Sequence, residues 1–286
     1  MFTKAATSIC SIVIPAYNEE NCIGATLWSL TEGMRAREFD IIVVCNGCSD
    51  NTAAAAIAAF PQARVIETEI ASKTHALNMG MQEAHCETVV FLDADIKTTA
   101  LSVRLLLSAL RATRQHLAYG KASFRTTKCS APVRSFYKAW KLNPYFDGGK
   151  VGGFFAVSMA GLNSLGHFPS ITNDDEYVRR KLMAKSVFVP AATYIVEPPR
   201  TVLSLIKVRS RVYRGNRELT SFGLPVAVNQ PHKNGYRFLR RLMRTPSAWS
   251  GACVFSVVAA AAHLRNRFFN TSGQWEQDPT ARTVQN

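Results

Sequence analysis

The sequence predicts an α/β fold built on a mostly parallel sheet, and three observations carry that expectation. Tracts rich in Val, Ile and Leu recur four times in the first hundred residues. Segments of helical pattern separate them. The connections between the two are only a few residues long, which calls for right-handed crossovers between parallel strands.

Ser8–Ile14 is an apolar run closed by Pro15, the pattern of a buried strand that ends in a loop. A helix is expected over Asn21–Thr31. Phe39–Cys45 forms the second strand, and Asn46-Gly47 is its turn signal. Ser49 or Asp50 can cap an Ala-rich helix that ends near Pro61. Arg64–Thr68 is a third strand, Ser72 can cap a helix over Lys73–Glu83, and Glu87–Leu92 is a fourth strand running into Asp93-Ala94-Asp95. After a helix over Thr99–Thr113 the alternation stops. Leu117–Thr127 reads as a strand, Pro132–Leu142 as a helix, Val151–Ser158 as a strand behind a glycine-rich stretch, and Tyr177–Met183 as a short helix.

The chain has 286 residues, 47% of them hydrophobic, enough for one sizeable body and too apolar for a disordered chain. No positively charged, cleavable apolar leader precedes the first strand, so a cytoplasmic chain is expected. Its seven cysteines suit reduced thiols there. Cys45 and Cys48 form a C-x-x-C, but no second Cys or His pair stands at zinc spacing, and turn residues are the better reading. Charge is uneven. Residues 1–100 carry a net of −6 and residues 101–286 a net of +20. A basic half points to an anionic partner.

Open α/β sheets bind ligands beyond the carboxyl ends of their strands. Asp93 and Asp95 stand there, directly after Val89-Val90-Phe91-Leu92. Two carboxylates one residue apart can reach one hard cation, Mg²⁺ or Mn²⁺, that also holds a diphosphate. The alternative is that Asp95 caps the next helix while Asp93 faces solvent.

Four segments give these carboxylates a context. The chain reads Ser11-Ile-Val-Ile-Pro-Ala-Tyr-Asn-Glu-Glu20, then Val44-Cys-Asn-Gly-Cys-Ser-Asp-Asn-Thr52, then Lys73-Thr-His-Ala-Leu-Asn78, then Phe91-Leu-Asp-Ala-Asp95. In order and spacing this resembles the nucleotide-binding half of family-2 glycosyltransferases with the GT-A fold. The resemblance implies that Pro15, Ala16, Tyr17 and Glu19 line the nucleobase and ribose. It puts Asn46 where the family often has an aspartate that reads the base, brings Lys73 near the nucleotide, and makes Asp93 and Asp95 the metal-binding D-x-D, with Mn²⁺ or Mg²⁺ as cofactor. Read from the residues alone, Glu19 could instead be a first-turn carboxylate favoured by a helix dipole, and Lys73 a solvated lysine at a helix start.

Ile171-Thr-Asn-Asp-Asp-Glu-Tyr-Val-Arg-Arg180 puts three acids at the start of a helix. Clustered like charges raise one another's pKa, which suits a general base, although acids also favour a helix N-terminus on their own account. The resemblance implies an acidic pair here, matched by Asp174-Asp175, with Asp175 as the base of an inverting displacement, or Asp174 if the match shifts by one residue. Gly148, Gly149, Gly152 and Gly153 permit close backbone approach. The resemblance places the donor-sugar and acceptor wall at this stretch. His75 and His167 have no partners at metal or triad spacing and read as structural.

From Arg200 to Arg244 there are eleven Lys/Arg and one acid, Glu218. Tyr236, Leu239 and Met243 share one helical face and Arg237, Arg240, Arg241 and Arg244 the other, a pattern suited to a membrane surface. Arg209, Arg211, Arg214 and Arg217 are an alternative grip on diphosphate. Ala252–Ala262, even extended to Trp249 and Leu264, is shorter than a bilayer span, so an interfacial or re-entrant helix is expected.

The expected organisation is a catalytic domain over 1–200, divided into a nucleotide-sugar half (1–98) and an acceptor and base half (99–200). A helical, membrane-associating extension (201–270) and a flexible tail (271–286) follow. The expected partners are a nucleoside-diphosphate sugar and a glycan or lipid-linked acceptor, at the cytoplasmic face of the plasma membrane. A non-catalytic sugar-nucleotide-binding scaffold and a transferase with a soluble acceptor are the alternatives. No nucleic-acid motif is present, and no G-x-G-x-x-G follows the first strand as an oxidoreductase would need.

Overall fold

The computed structural model describes residues 8–224 and 231–268. The tail expected over 271–286 lies outside them. The described chain divides into two compact units that interleave in sequence. The first holds residues 8–123, Val151–Ser170 and Lys181–Ile195, and the second holds Phe124–Lys150, Ile171–Arg180 and the described residues from Val196 onward.

The first unit is organised around an eight-stranded sheet. Its strands are β1 (Cys10–Ala16), β2 (Phe39–Asn46), β3 (Arg64–Thr68), β4 (Thr88–Leu92), β5 (Lys97–Thr98), β6 (Leu117–Phe124), β7 (Phe154–Ser158) and β8 (Ser186–Val196), in the order β3-β2-β1-β4-β7-β6-β8-β5. The first four pair in parallel, as their alternation with helices requires. Beyond β4 the pairing changes, since β7 runs antiparallel to both β4 and β6. These parallel pairs thus all lie among the first four strands.

β1 is an interior strand with β2 and β4 on either side, and every residue in it is buried. It extends two residues further than expected, through Pro15. That residue lies beyond Val13, the last partner on the β4 side, so its missing N–H is tolerated at the open end of the strand. The helices α1 (Ile23–Thr31), α2 (Thr52–Ala59), α3 (Lys73–Glu83) and α4 (Ala100–Thr113) supply the covering apolar stripes, among them Leu27, Leu30, Leu77, Val103 and Leu106. Ser72 caps α3 through the His75 N–H (3.3 Å), as its sequence predicts. β8 and the short helix α6 (Met159–Leu165) were not visible in the sequence pattern.

The second unit has its own core. α5 (Ala131–Trp140), α8 (Val202–Ser221) and α10 (Trp249–Phe268) bring together Val133, Phe136, Tyr137, Leu205 and Val258. The unit also contains most of α7 (Asp174–Leu182) and the amphipathic α9 (Pro231–Met243). α10 corrects one expectation: the helix is longer than the apolar run inside it. The stretch Pro246–Arg267 is, by length and composition, long enough to cross a membrane.

Close packing of α3 on β1 yields a stability test. A Cβ on Gly80 would run into the side chain of Val13, whose branched carbon has one favoured rotamer. Gly80→Ala should cost about 1–3 kcal/mol in urea unfolding through overpacking, with an unchanged denaturant slope.

Candidate active site

Three strand ends and the start of one helix build the candidate site of the first unit. The loop after β1 and the loop after β2 are laced together. Asn18, held at a positive φ of 50°, accepts from the Ser49 N–H through its side-chain oxygen (2.8 Å). Glu19 N–H donates to Thr52 Oγ1 (2.8 Å), and Asn51 N–H donates to the Glu20 carboxylate (3.1 Å). Cys48 donates to the Ala16 carbonyl and accepts from the Asn18 N–H, each at 3.4 Å. The C-x-x-C cysteine is thus a turn residue, as its sequence context suggests. Gly47 has φ +65°, and a Cβ there would collide with Ala71, so only glycine fits this turn.

Glu19 is 4% exposed and precedes α1 by four positions, and the first turn of α1 carries no acid. The helix-dipole reading of Glu19 is therefore wrong. Asn46 is likewise buried. With its amide oriented by its partners, it donates to the Ala16 carbonyl (2.9 Å) and accepts from the Ser72 N–H (3.3 Å). It ties the end of β1 to the cap of α3. An aspartate here would set a carboxylate against the Ala16 carbonyl, which accounts for the amide.

The D-x-D sits in a turn directly after β4. Ile96 N–H donates to the Asp93 carbonyl (3.1 Å), and Asp93 N–H donates to the Gly153 carbonyl at the entry to β7 (2.8 Å). Lys73, the first residue of α3, places its ammonium 2.7 Å from Asp93 Oδ1, with both side chains largely sheltered. It is therefore not a solvated lysine. Asp93 Oδ2 packs against Gly153, where a Cβ would overlap the carboxylate and Ile96. The helix-cap alternative for Asp95 also fails, because Thr99 caps α4 by accepting from the Ser102 N–H (3.2 Å).

Hard carboxylate oxygens in one turn fit Mg²⁺ or Mn²⁺. Among the described residues no three His, Cys, Asp or Glu side chains converge as a metal cage. A cation held by Asp93 and Asp95 would need further ligands beyond these two carboxylates. Pro15, Ala16, Tyr17, Glu19, Asn46, Lys73, Asp93 and Asp95 all fall in this unit, at strand ends or in the loops that follow them.

Asp174 and Asp175 belong to the second unit, where α7 begins with both of them and Glu176. The three acids do not share one environment. Burial would raise the pKa of Glu176, but hydrogen bonds from Arg179 (2.6 Å, bidentate) and Arg180 (2.9 Å) outweigh it and hold the carboxyl below its usual range. Glu176 is thus held as an ion-paired carboxylate by its two arginines. Beside it, burial first and the Glu176 charge next push the Tyr145 phenol up to about 12, and Arg179 stacks over the Tyr145 ring at 5.9 Å.

The end of α8 braces this acidic segment. Thr172 N–H donates to Glu218 (2.9 Å), Asn173 Nδ2 donates to Asn216 Oδ1 (2.7 Å), and Arg180 donates to the Leu224 carbonyl (2.9 Å). A Cβ on Gly215 would press on Asn173. Sequence reasoning missed Gly215, Asn216 and Glu218. The one signal was Glu218 itself, a lone acid in a basic stretch. Arg209 stacks on Trp140 (5.3 Å) and Tyr213 (5.0 Å).

A sequence model described as Glycosyl transferase family 2 matches residues 11–162, more than half of the chain. Among curated proteins none matches. Solved structures match in fold. A mannosyltransferase from Pyrobaculum calidifontis, in complex with GDP-Man and Mn²⁺, is 16% identical with a TM-score of 0.62, over 92% of this chain and 88% of that one. Glucosyl-3-phosphoglycerate synthase from Mycobacterium tuberculosis, in complex with Mn²⁺, UDP-glucose and glycerol 3-phosphate, is 24% identical with a TM-score of 0.54, over 78% and 83%. In complex with phosphoglyceric acid, the same enzyme matches at 23% identity and a TM-score of 0.56, over 78% and 83%. The fold is the GT-A type that the four segments imply.

The depressed pKa of Glu176 sets a pH test. Its folded value lies below the unfolded one, so the arginine pairs stabilise the fold above the ordinary carboxylate range, and that contribution is lost as pH falls through the folded value. Glu176→Gln should cost about 2–3 kcal/mol near neutral pH. The variant should also show a shallower loss of stability on acidification, read by thermal melts across acidic pH.

Proposed function

The chain belongs to glycosyl transferase family 2, and from that premise we propose that it moves a sugar from a nucleoside-diphosphate donor to an acceptor hydroxyl with inversion. The observation that carries this reading is the Lys73–Asp93 pair at the end of β4, with Asp95 in the same turn. It supports a donor site in which the loop Pro15–Glu19 lines the nucleoside while Asn46 holds that loop in place from beneath. Asp93 and Asp95 would hold Mn²⁺ or Mg²⁺, as the neighbouring enzymes hold Mn²⁺ with their sugar nucleotides. When bound, the cation neutralises the charge of the diphosphate.

Lys73 holds Asp93 by one oxygen, leaving Oδ2 on the Gly153 side. Asp175 accepts the proton of the acceptor hydroxyl, with Asp174 beside it. The acceptor oxygen then forms its bond to the anomeric carbon as the bond to the diphosphate breaks on the opposite face. Configuration inverts in that single displacement, so no protein nucleophile is required. Glu176, paired to two arginines, takes no part in proton transfer.

The basic second unit supports an anionic acceptor, and we assign it to a glycan or lipid-linked acceptor presented at a cytoplasmic membrane surface. The neighbouring synthase takes small phosphate-bearing acceptors, glycerol 3-phosphate or phosphoglyceric acid. These fit the same charge and are the soluble comparison.

Calorimetric titration with UDP, GDP and ADP, with and without Mn²⁺, tests the donor site. One nucleotide should bind in a metal-dependent way, and Asp95→Ala should abolish that dependence. Asp175→Asn should keep nucleotide affinity within a few-fold while transfer falls by about 10²–10⁴-fold, the range for loss of a general base. Full transfer by Asp175→Asn would remove it from the mechanism. Absence of nucleotide binding under every condition would remove the transferase reading.

A further inference from the structure

α9 is amphipathic twice over. One side fixes it to the second unit. Arg241 and Arg237 both reach Asp147 (2.7 and 2.9 Å), Phe238 packs near Phe255 (ring centroids 6.1 Å apart), and the Trp249 indole donates to the Leu242 carbonyl (3.0 Å). The opposite side carries Tyr236, Leu239 and Met243, spaced three and four residues apart and 67%, 52% and 57% exposed. Exposed Arg240 and Arg244 flank that stripe. A lone exposed leucine would mean nothing, but a stripe of three large apolar side chains edged by cations calls for an occupant.

α10 repeats the arrangement. Gly251, Val258 and Ala262 are buried, and Gly251 lies so close to α5 that a Cβ would strike the Ser135 carbonyl. Trp249, Cys253, Val257 and Leu264 form the outward stripe. A helix with one side sealed against protein is not free to be solvated by lipid all round. Its length permits a span, but its packing favours lying flat.

We propose that these outward stripes form an interfacial docking surface for an anionic bilayer. Tyr236, Leu239, Met243 and Trp249 enter the boundary between headgroups and acyl chains, and Arg240 and Arg244 meet the lipid phosphates. Charge selects this occupant. No Asp or Glu occurs between Glu218 and Glu276, so neither helix offers an acidic group to a basic partner. A second copy of the chain would set this basic face against itself and be repelled. An anionic bilayer satisfies both the cations and the apolar stripe. The inference deepens the surface-acceptor reading above and rests on it only for where the acceptor is met.

The test is flotation of the full chain with phosphatidylcholine vesicles, with and without phosphatidylglycerol, at low and physiological salt. Binding should require phosphatidylglycerol and weaken as salt rises. Arg240→Glu/Arg244→Glu should weaken it at least about 25-fold, since each arginine near the surface is worth roughly five-fold. Leu239→Glu/Met243→Glu should abolish it. Both pairs should leave metal-dependent nucleotide affinity unchanged, which separates failure here from failure of the donor-site reading. Three results would overturn the proposal: no vesicle binding by the unaltered chain, binding indifferent to both double variants, or a solution dimer that the same substitutions dissociate.

Discussion

The arrangement of the proposed donor site depends on the seating of one carboxylate. Asp93 leaves β4, receives Lys73 from the start of α3 at 2.7 Å, and rests on Gly153 at the entry to β7. Three elements far apart in sequence thus meet at a single side chain. The ion pair is sheltered, so its value is as much directional as energetic: a buried pair stabilises little by comparison with apolar packing, but breaking it is costly. Its consequence is geometric. Lysine occupies one oxygen and glycine leaves room beside the other, which fixes how the acidic turn faces its ligand.

The acidic segment of the second unit is held by a different device. There a helix end, rather than a strand end, does the positioning. Glu218 and Asn216 bind the residues just ahead of α7, Gly215 allows the close approach, and Arg180 returns to the Leu224 carbonyl. Two arginines hold the Glu176 carboxyl below its usual range, which sets it apart from the aspartates beside it. Neighbouring residues acquire different roles through their partners.

Local signals carried much of this into the sequence. β3 and α3 have the expected limits because a cap at Ser72 and a short β-branched run leave few alternatives. The D-x-D was legible because it follows an unbroken apolar strand. β8 was not, since its half-exposed residues and internal Pro190 lack the two-residue alternation of a one-sided strand. Nor could sequence pattern show the role of Lys73. Its partner lies twenty positions away, and the glycine that makes room lies sixty further on; only the order of the sheet brings them together. Asn46 was noticed as a departure from aspartate, but its reason is a buried carbonyl acceptor at the end of another strand. Glu218 shows the same limit: its isolation was visible, its partner was not.

The central claim is that Gly153 lets Asp93 take up its metal-ready position. It is tested most directly by Mn²⁺ electron paramagnetic resonance on the unaltered chain and Gly153→Ala, each with a saturating nucleoside diphosphate. The account predicts a bound Mn²⁺ signal in the unaltered chain and a severe loss in Gly153→Ala, with circular dichroism unchanged. Equal Mn²⁺ binding by the two proteins would contradict it.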